Sequence, residues 1–119
     1  MNIEQLQKLC KSLPGVTEDV KWDNDLCFSV GGKMFVVAGL EQVPTSASFK
    51  VTDDQFAELS SRKGFKPAPY MAKHKWIWLE DLKLLSAKEW AFYVRQSYEL
   101  IKQKLPKKIQ KEISASCNG

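Results

Sequence analysis

The chain has 119 residues, 44% of them hydrophobic, and a formal net charge of +4, which is enough to build one core and too little for two ordinary domains. No apolar run approaches the roughly 20 residues of a membrane span, and the start MNIEQLQKLC has neither the basic nor the apolar segment of a secretory signal, so a cytoplasmic protein with no membrane partner is expected. Cys10, Cys27 and Cys117 form no CxxC pair and are odd in number; in a reducing compartment they stay thiols, two as packing residues and Cys117 in a loose tail.

Along the chain, Asn2 caps a first helix in which Ile3, Leu6, Leu9, Cys10 and Leu13 recur at helical spacing, and Pro14-Gly15 ends it. An acidic link, VTEDVKWDND, leads to the alternation of Leu26, Phe28 and Val30, a half-buried strand. Gly31-Gly32 turns a tight hairpin, and Lys33 to Gly39 returns as its partner. SASFKV supplies a third strand with Ala47, Phe49 and Val51 on one side and Ser48 and Lys50 on the other.

Thr52 and Gln55 form a capping box for a second helix, TDDQFAELSSRK, which buries Phe56 and Leu59 and stops at Gly64. Pro67 and Pro69 forbid helix in the next segment, and the aromatic run HKWIWLED reads as a fourth strand. Its inner face is left open by the pattern: His74, Trp76 and Trp78 share one side, Lys75, Ile77 and Leu79 the other. A second capping box, Ser86 with Glu89, opens a long helix whose inner stripe is Trp90, Tyr93, Val94, Ser97, Ile101 and Leu105, and Pro106 ends it. The rest, KKIQKEISASCNG, reads as a frayed turn and a disordered end. The order α-β-β-β-α-β-α predicts a two-layer α+β domain over residues 1–108, an antiparallel sheet with helices packed on one face, followed by a partly disordered tail at 109–119.

Charge is unevenly placed. Residues 1–60 carry five Lys or Arg against nine Asp or Glu, whereas residues 61–119 carry thirteen against five, so the second half is basic. Between Leu59 and Leu79 there is no carboxylate, while Arg62, Lys63, Lys66, Lys73 and Lys75 stand among Phe65, Tyr70, Trp76 and Trp78. Cations beside aromatic rings suit phosphate neutralisation and base stacking.

Motifs for chemistry are missing. His74 is the single histidine, flanked by Lys73 and Lys75 with no acid nearby in sequence to hold a tautomer, so it reads as a phosphate-contacting surface residue rather than a catalytic base. Glu18, Asp19, Asp23 and Asp25 match no metal loop, and Asp23-Asn24-Asp25 reads as a turn. Gly31-Gly32-Lys33 lacks the further glycine and helix start of a phosphate-binding loop. No enzyme, metal or cofactor is expected.

Three stretches, LPGVTEDVKWDNDLCFSVGGKMF (13–35), PAPYMAKHKWIWLED (67–81) and SYELIKQKLPKK (97–108), together resemble the MmcQ/YjbR family. Trp22, Gly32, Lys33 and Phe35 match its hairpin motif, and Lys73, Trp76 and Leu105-Pro106-Lys107-Lys108 the later ones. The resemblance implies a fold similar to the bacterial frataxin homologue CyaY and a double-winged DNA-binding protein without catalytic residues. It does not imply frataxin's iron chemistry, because the first helix carries only Glu4 beside Lys8 and Lys11.

The expected function is therefore a non-catalytic DNA-binding domain, monomeric by default. Arg62, Lys63, Lys66, Lys73, His74 and Lys75, with Lys107 and Lys108 and the hairpin's Lys33, would contact phosphates. The alternative is a protein- or small-ligand-binding module with a groove beside Trp22, Tyr70, Trp76 and Trp78.

Overall fold

The computed structural model describes residues 1–21, 24–41, 43–69 and 71–116. Three helices begin at side-chain caps: α1 (Ile3–Lys11) at Asn2, α2 (Asp53–Ser60) at Thr52 and α3 (Ala87–Lys102) at Ser86. In each, the cap oxygen accepts from the amide three residues on, and Gln5, Gln55 or Glu89 reaches back to the cap's own amide. Two otherwise orphaned amides at each helix start are thereby satisfied, which fixes where the helices begin.

Six strands form one sheet: β1 (Val16–Lys21), β2 (Asp25–Val30), β3 (Lys33–Gly39), β4 (Ser46–Lys50), β5 (Phe65–Pro67) and β6 (Trp76–Leu79). All pairings are antiparallel, in the order β1-β2-β3-β4-β6-β5. The expected α+β architecture is present, with two strands beyond the four read from the sequence. Both are edges. Val16–Lys21 of the acidic link form β1, and the loop after Gly64 contains β5. An edge strand is covered on one side only, so β1 keeps Thr17, Asp19 and Val20 exposed, and β5 ends on Pro67, which has no amide to offer a ladder.

The fourth expected strand is shorter than read. Ala72–His74 form a 3-10 turn, Lys75 turns the chain with a left-handed φ of 63°, and only Trp76–Leu79 pair. His74 therefore does not share a strand face with Trp76 and Trp78.

The C-terminal segment also departs from expectation. Instead of a frayed turn, Lys107–Ser116 form a helix, α4, directly after Pro106. Proline ends α3 yet is tolerated where the next helix starts, since the amide it lacks would go unpaired there. Ile109 and Ile113, one turn apart, hold α4 to the body: Ile113 is buried against Gly15, and Ile109 packs with Leu105 on Gly31. Cys117 lies outside the described residues.

One face of the sheet carries the core. Leu26, Phe28 and Val30 of β2, Ala47 and Phe49 of β4, and Ile77 and Leu79 of β6 point into it with Leu6, Leu59, Trp90, Val94 and Tyr98 from the helices. This settles the open question about β6: Ile77 and Leu79 are the buried pair under the helices. A bulge in β3 adds to the core, because the register moves from Phe28↔Val36 to Ser29↔Met34 and turns both Phe35 and Val36 inward. Buried polar tips are paired, Trp90 Nε1 donating to the Leu82 carbonyl at 2.7 Å and the Tyr98 hydroxyl to the Pro14 carbonyl at 2.6 Å. Strand alternation leaves Asp25, Cys27, Met34, Val37, Ser46, Ser48, Lys50, Trp76 and Trp78 on the face without helices.

Candidate functional site

The cations predicted as one set are divided by the fold. Arg62 and Lys63 follow α2 and enter β5, where Phe65 pairs with Leu79 at the far end of β6. His74 and Lys75 stand before Trp76, at its near end. Four residues of strand, about 13 Å, separate the two groups. Several of the basic side chains are already engaged. Arg62 pairs with Glu89 at 3.6 Å and lies over the Phe65 ring at 4.9 Å, and the Lys66 ammonium covers the Trp78 ring at 4.6 Å. Phe65 and Trp76 are buried, so among the described aromatics of this stretch only Trp78 keeps partial exposure, and stacking of bases has little to work with.

At the near end of β6 a different group assembles. Lys50, at the end of β4, is opposite Trp76; its ammonium donates to the His74 carbonyl and its amide to the Ser97 hydroxyl at 3.0 Å. Burial and then Lys104 hold the Lys50 amine below the ordinary lysine range; Asp53 opposes them more weakly, and Lys75 adds a smaller push downward. Lys75 spreads its ammonium over the Phe56 ring at 5.1 Å, while Lys73 and His74 are exposed. The β2–β3 hairpin turns at this same end. A methyl group on Gly31 would meet Leu105 and Ile109, which places the exposed Lys33 beside the corner between α3 and α4. That corner supplies Lys104, Lys107 and Lys108, all exposed, and a shallow depression of about 440 Å³ lined by Lys102, Lys107, Gln110 and Lys111.

The sequence pattern placed Lys50 correctly on the outer side of its strand but gave no sign that it would meet Lys104, 54 positions on in the numbering. Only the packing of α3 across the strand ends makes them neighbours. Like charges held this close raise the local potential and favour an anionic partner.

A second feature lies on the helix-free face and runs along it, from Trp76, which stands opposite Lys50, to the far strand ends at Asp25, Gly39 and Ser46. There Trp76 and Trp78, with Met34, Val37, Ala68, Pro69 and Met71, line a cleft of about 630 Å³ whose polar lining includes Asp25, Glu41, Ser46 and Ser48. Trp76 and Trp78 thus share one cleft, as the groove alternative supposed; Trp22 and Tyr70 lie outside the described residues. Asp25 and Glu41 come together here through the β2–β3 ladder, in which Asp25 faces Gly39, and through Asn24, whose side chain bonds Glu41.

The acidic stretch does not gather. Glu18 accepts from Gln7 at 2.8 Å and pairs with Lys11 at 3.6 Å, whereas Asp19 and Asp25 alternate to the other face, and Asp23 is outside the described residues. Among the described residues no group of three or more His, Cys, Asp or Glu is placed to hold a metal ion, and no helix is long and apolar enough to cross a membrane. Cys10 and Cys27 are fully buried, and burial is the main cause that raises both thiols above their ordinary value.

Comparison with solved structures finds the same architecture elsewhere. A Deinococcus radiodurans protein with a DUF419 domain superimposes with a TM-score of 0.85 at 25% identity, over 95% of this chain and 88% of that one. A Pseudomonas syringae protein superimposes with a TM-score of 0.69 at 21% identity, over 84% of this chain and 98% of that one, a likeness of fold alone. No curated protein sequence matches significantly. A model of the YjbR family matches residues 11–100, most of the chain and all of β1 through β6, and the chain therefore belongs to the YjbR family.

Proposed function

We propose that this protein is a non-catalytic, sequence-tolerant DNA-binding domain whose phosphate-contacting surface is the lysine-rich end of the sheet. The observation that carries the reading is the convergence of Lys50, Lys75 and Lys104 from three elements at one end of the sheet, where burial first, then Lys104 and, least, Lys75 lower the Lys50 amine. Lys33 on the hairpin and Lys107 and Lys108 at the start of α4 extend the same surface, with Lys73 and His74 on its flank. Lysine ammonium groups act as point charges toward phosphate oxygens and carry no base preference, so binding is electrostatic and driven by counterion release. Arg62, Lys63 and Lys66 are left out of this surface, because they sit at or toward the other end of β6 and two of them already cover rings.

The test is fluorescence anisotropy with a labelled random-sequence DNA duplex. Binding is expected at about 50 mM salt and should weaken steeply toward about 200 mM, the logarithmic slope reporting roughly one lost counterion per phosphate contacted. Lys107→Glu with Lys108→Glu lowers the affinity and flattens the slope, whereas Lys63→Glu with Lys66→Glu, the same charge change at the opposite end, leaves both nearly unchanged. Absence of binding at the lower salt, or an equal loss in the two variants, overturns the reading.

A further inference from the structure

The cleft on the helix-free face is built unlike the rest of that surface. A sheet face turned to water ordinarily alternates to polar side chains, yet here Met34, Val37, Trp76 and Trp78 stand on it, and Ala68, Pro69 and Met71 from the β5–β6 connection fold over them. Trp76 is only 3% exposed although it lies outside the helix-packed core, so its indole is held in place by this second layer. A cleft of about 630 Å³ falls in the size range of small-molecule sites, which are mostly apolar with a few fixed polar groups.

The charge of the lining selects among ligands. Among the described residues its ionisable groups are Asp25 and Glu41, and neither lysine nor arginine lines the cleft. The basic groups nearby stand to its side: Lys50 is the cross-strand neighbour of Trp76 but gives its ammonium to the His74 carbonyl, Lys21 lies opposite Asp25 on β1, and Lys66 rests its ammonium on the Trp78 ring at 4.6 Å. That contact also demonstrates that the Trp78 face takes up an ammonium group. The lysine-rich end lies at the other end of β2 and β3, about 17 Å along the strands from Asp25, so the two carboxylates stand at the end of the cleft away from Lys50 and Trp76, with Trp78 between.

We infer that this cleft binds a small organic cation, a protonated amine on an aromatic or other apolar body. The body lies against Val37 and Trp78 in the middle of the cleft, and the ammonium is directed to the Asp25 and Glu41 carboxylates by charge-assisted hydrogen bonds. An anionic compound of the same shape would bring its carboxylate against two carboxylates and is rejected. The site is separate from the DNA-binding surface proposed above and does not depend on it.

Three probes of one shape and different charge test the inference on the full chain: 2-phenylethylamine, 2-phenylethanol and 3-phenylpropanoate. Titrations are followed by the indole N–H resonances in ¹H–¹⁵N spectra, with Trp78→Phe assigning its signal. The amine is expected to shift the Trp78 resonance and to bind about tenfold more tightly than the alcohol, a typical gain for a cation–π contact with a charged hydrogen bond, and the carboxylate more weakly than either. Glu41→Gln with Asp25→Asn should bring the amine down to the alcohol's affinity and leave the alcohol unchanged. If no probe moves Trp78, the cleft is not a site. Equal binding of all three, or an amine affinity untouched by the double substitution, overturns the cation assignment; the wild-type probe series decides this even where the variant fails to fold.

Discussion

The Ser97 hydroxyl on α3 donates to the Phe35 carbonyl on β3 at 2.6 Å, across 62 positions of sequence. Phe35 is the bulge residue, without a partner in the register of either neighbouring strand. The same hydroxyl accepts the Lys50 amide at 3.0 Å, just past the last β3–β4 pair at Phe49. One fully buried side chain thus closes the gap where the two strands part, and it anchors α3 to the end of the sheet where the lysines collect.

Ser97→Ala removes the partner of a buried carbonyl and a buried amide at once. Each orphaned group costs about 1–3 kcal/mol, so a total loss of roughly 2–6 kcal/mol is expected, read as a lower urea midpoint with an unchanged slope. A loss below about 0.5 kcal/mol, the size of an ordinary surface substitution, would show that the bulge is satisfied in some other way.

The two hairpin glycines should respond differently to alanine. Both have positive φ, 57° at Gly31 and 81° at Gly32, but an added methyl at Gly31 would stand 2.5 Å from Leu105 Cδ1 and 3.2 Å from Ile109 Cγ2, while at Gly32 it would meet nothing within 4 Å. Gly32→Ala carries the left-handed strain alone, about 1–2 kcal/mol. Gly31→Ala adds overpacking of about 1–3 kcal/mol. Thermal denaturation that ranks the two as equal would mean that α4 yields freely at Ile109.

Lys50 gives a pH signature with a definite sign. Its amine titrates below the ordinary lysine range because of burial and the nearness of Lys104 and Lys75, with Asp53 opposing. The unfolded chain therefore holds this proton more tightly than the folded one. The penalty is fully present below the folded value and is relieved as pH rises through it toward the ordinary value. Compared with Lys50→Met, the wild type should gain stability between neutral pH and about pH 10, where lysine ordinarily titrates. A difference that stays flat in urea titrations across that range would contradict the lysine cluster.

What could be read from the sequence follows from how local each signal is. Asn2, Thr52 and Ser86 announce their helices because a capping box closes within four residues and needs nothing from the rest of the chain. The strands at 25–30 and 46–50 showed themselves because Leu26, Phe28 and Val30, and Ala47 and Phe49, recur at every second residue on the helix-packed face. β1 and β5 stayed hidden for the opposite reason. An edge strand is held by a neighbour's free ladder, so Glu18, Asp19 and Pro67 are acceptable there although they speak against a strand locally. α4 was obscured likewise, because its two isoleucines gain meaning only from Gly15 and Gly31 on the surface they cover.

By itself, then, the sequence determined the fold class, the three capped helices, the four inner strands and a basic second half, since periodicity, caps and charge counts are properties of neighbouring residues. Tertiary structure alone decided which of those charges act together. The antiparallel register carried Arg62 and Lys63 away from Lys75 and put Trp76, Trp78 and Asp25 on the one face the helices leave open, and the packing of α3 across the strand ends brought Lys104 to Lys50. Electrostatic energy depends on distance in space, and strand pairing fixes that distance with no regard to separation along the chain.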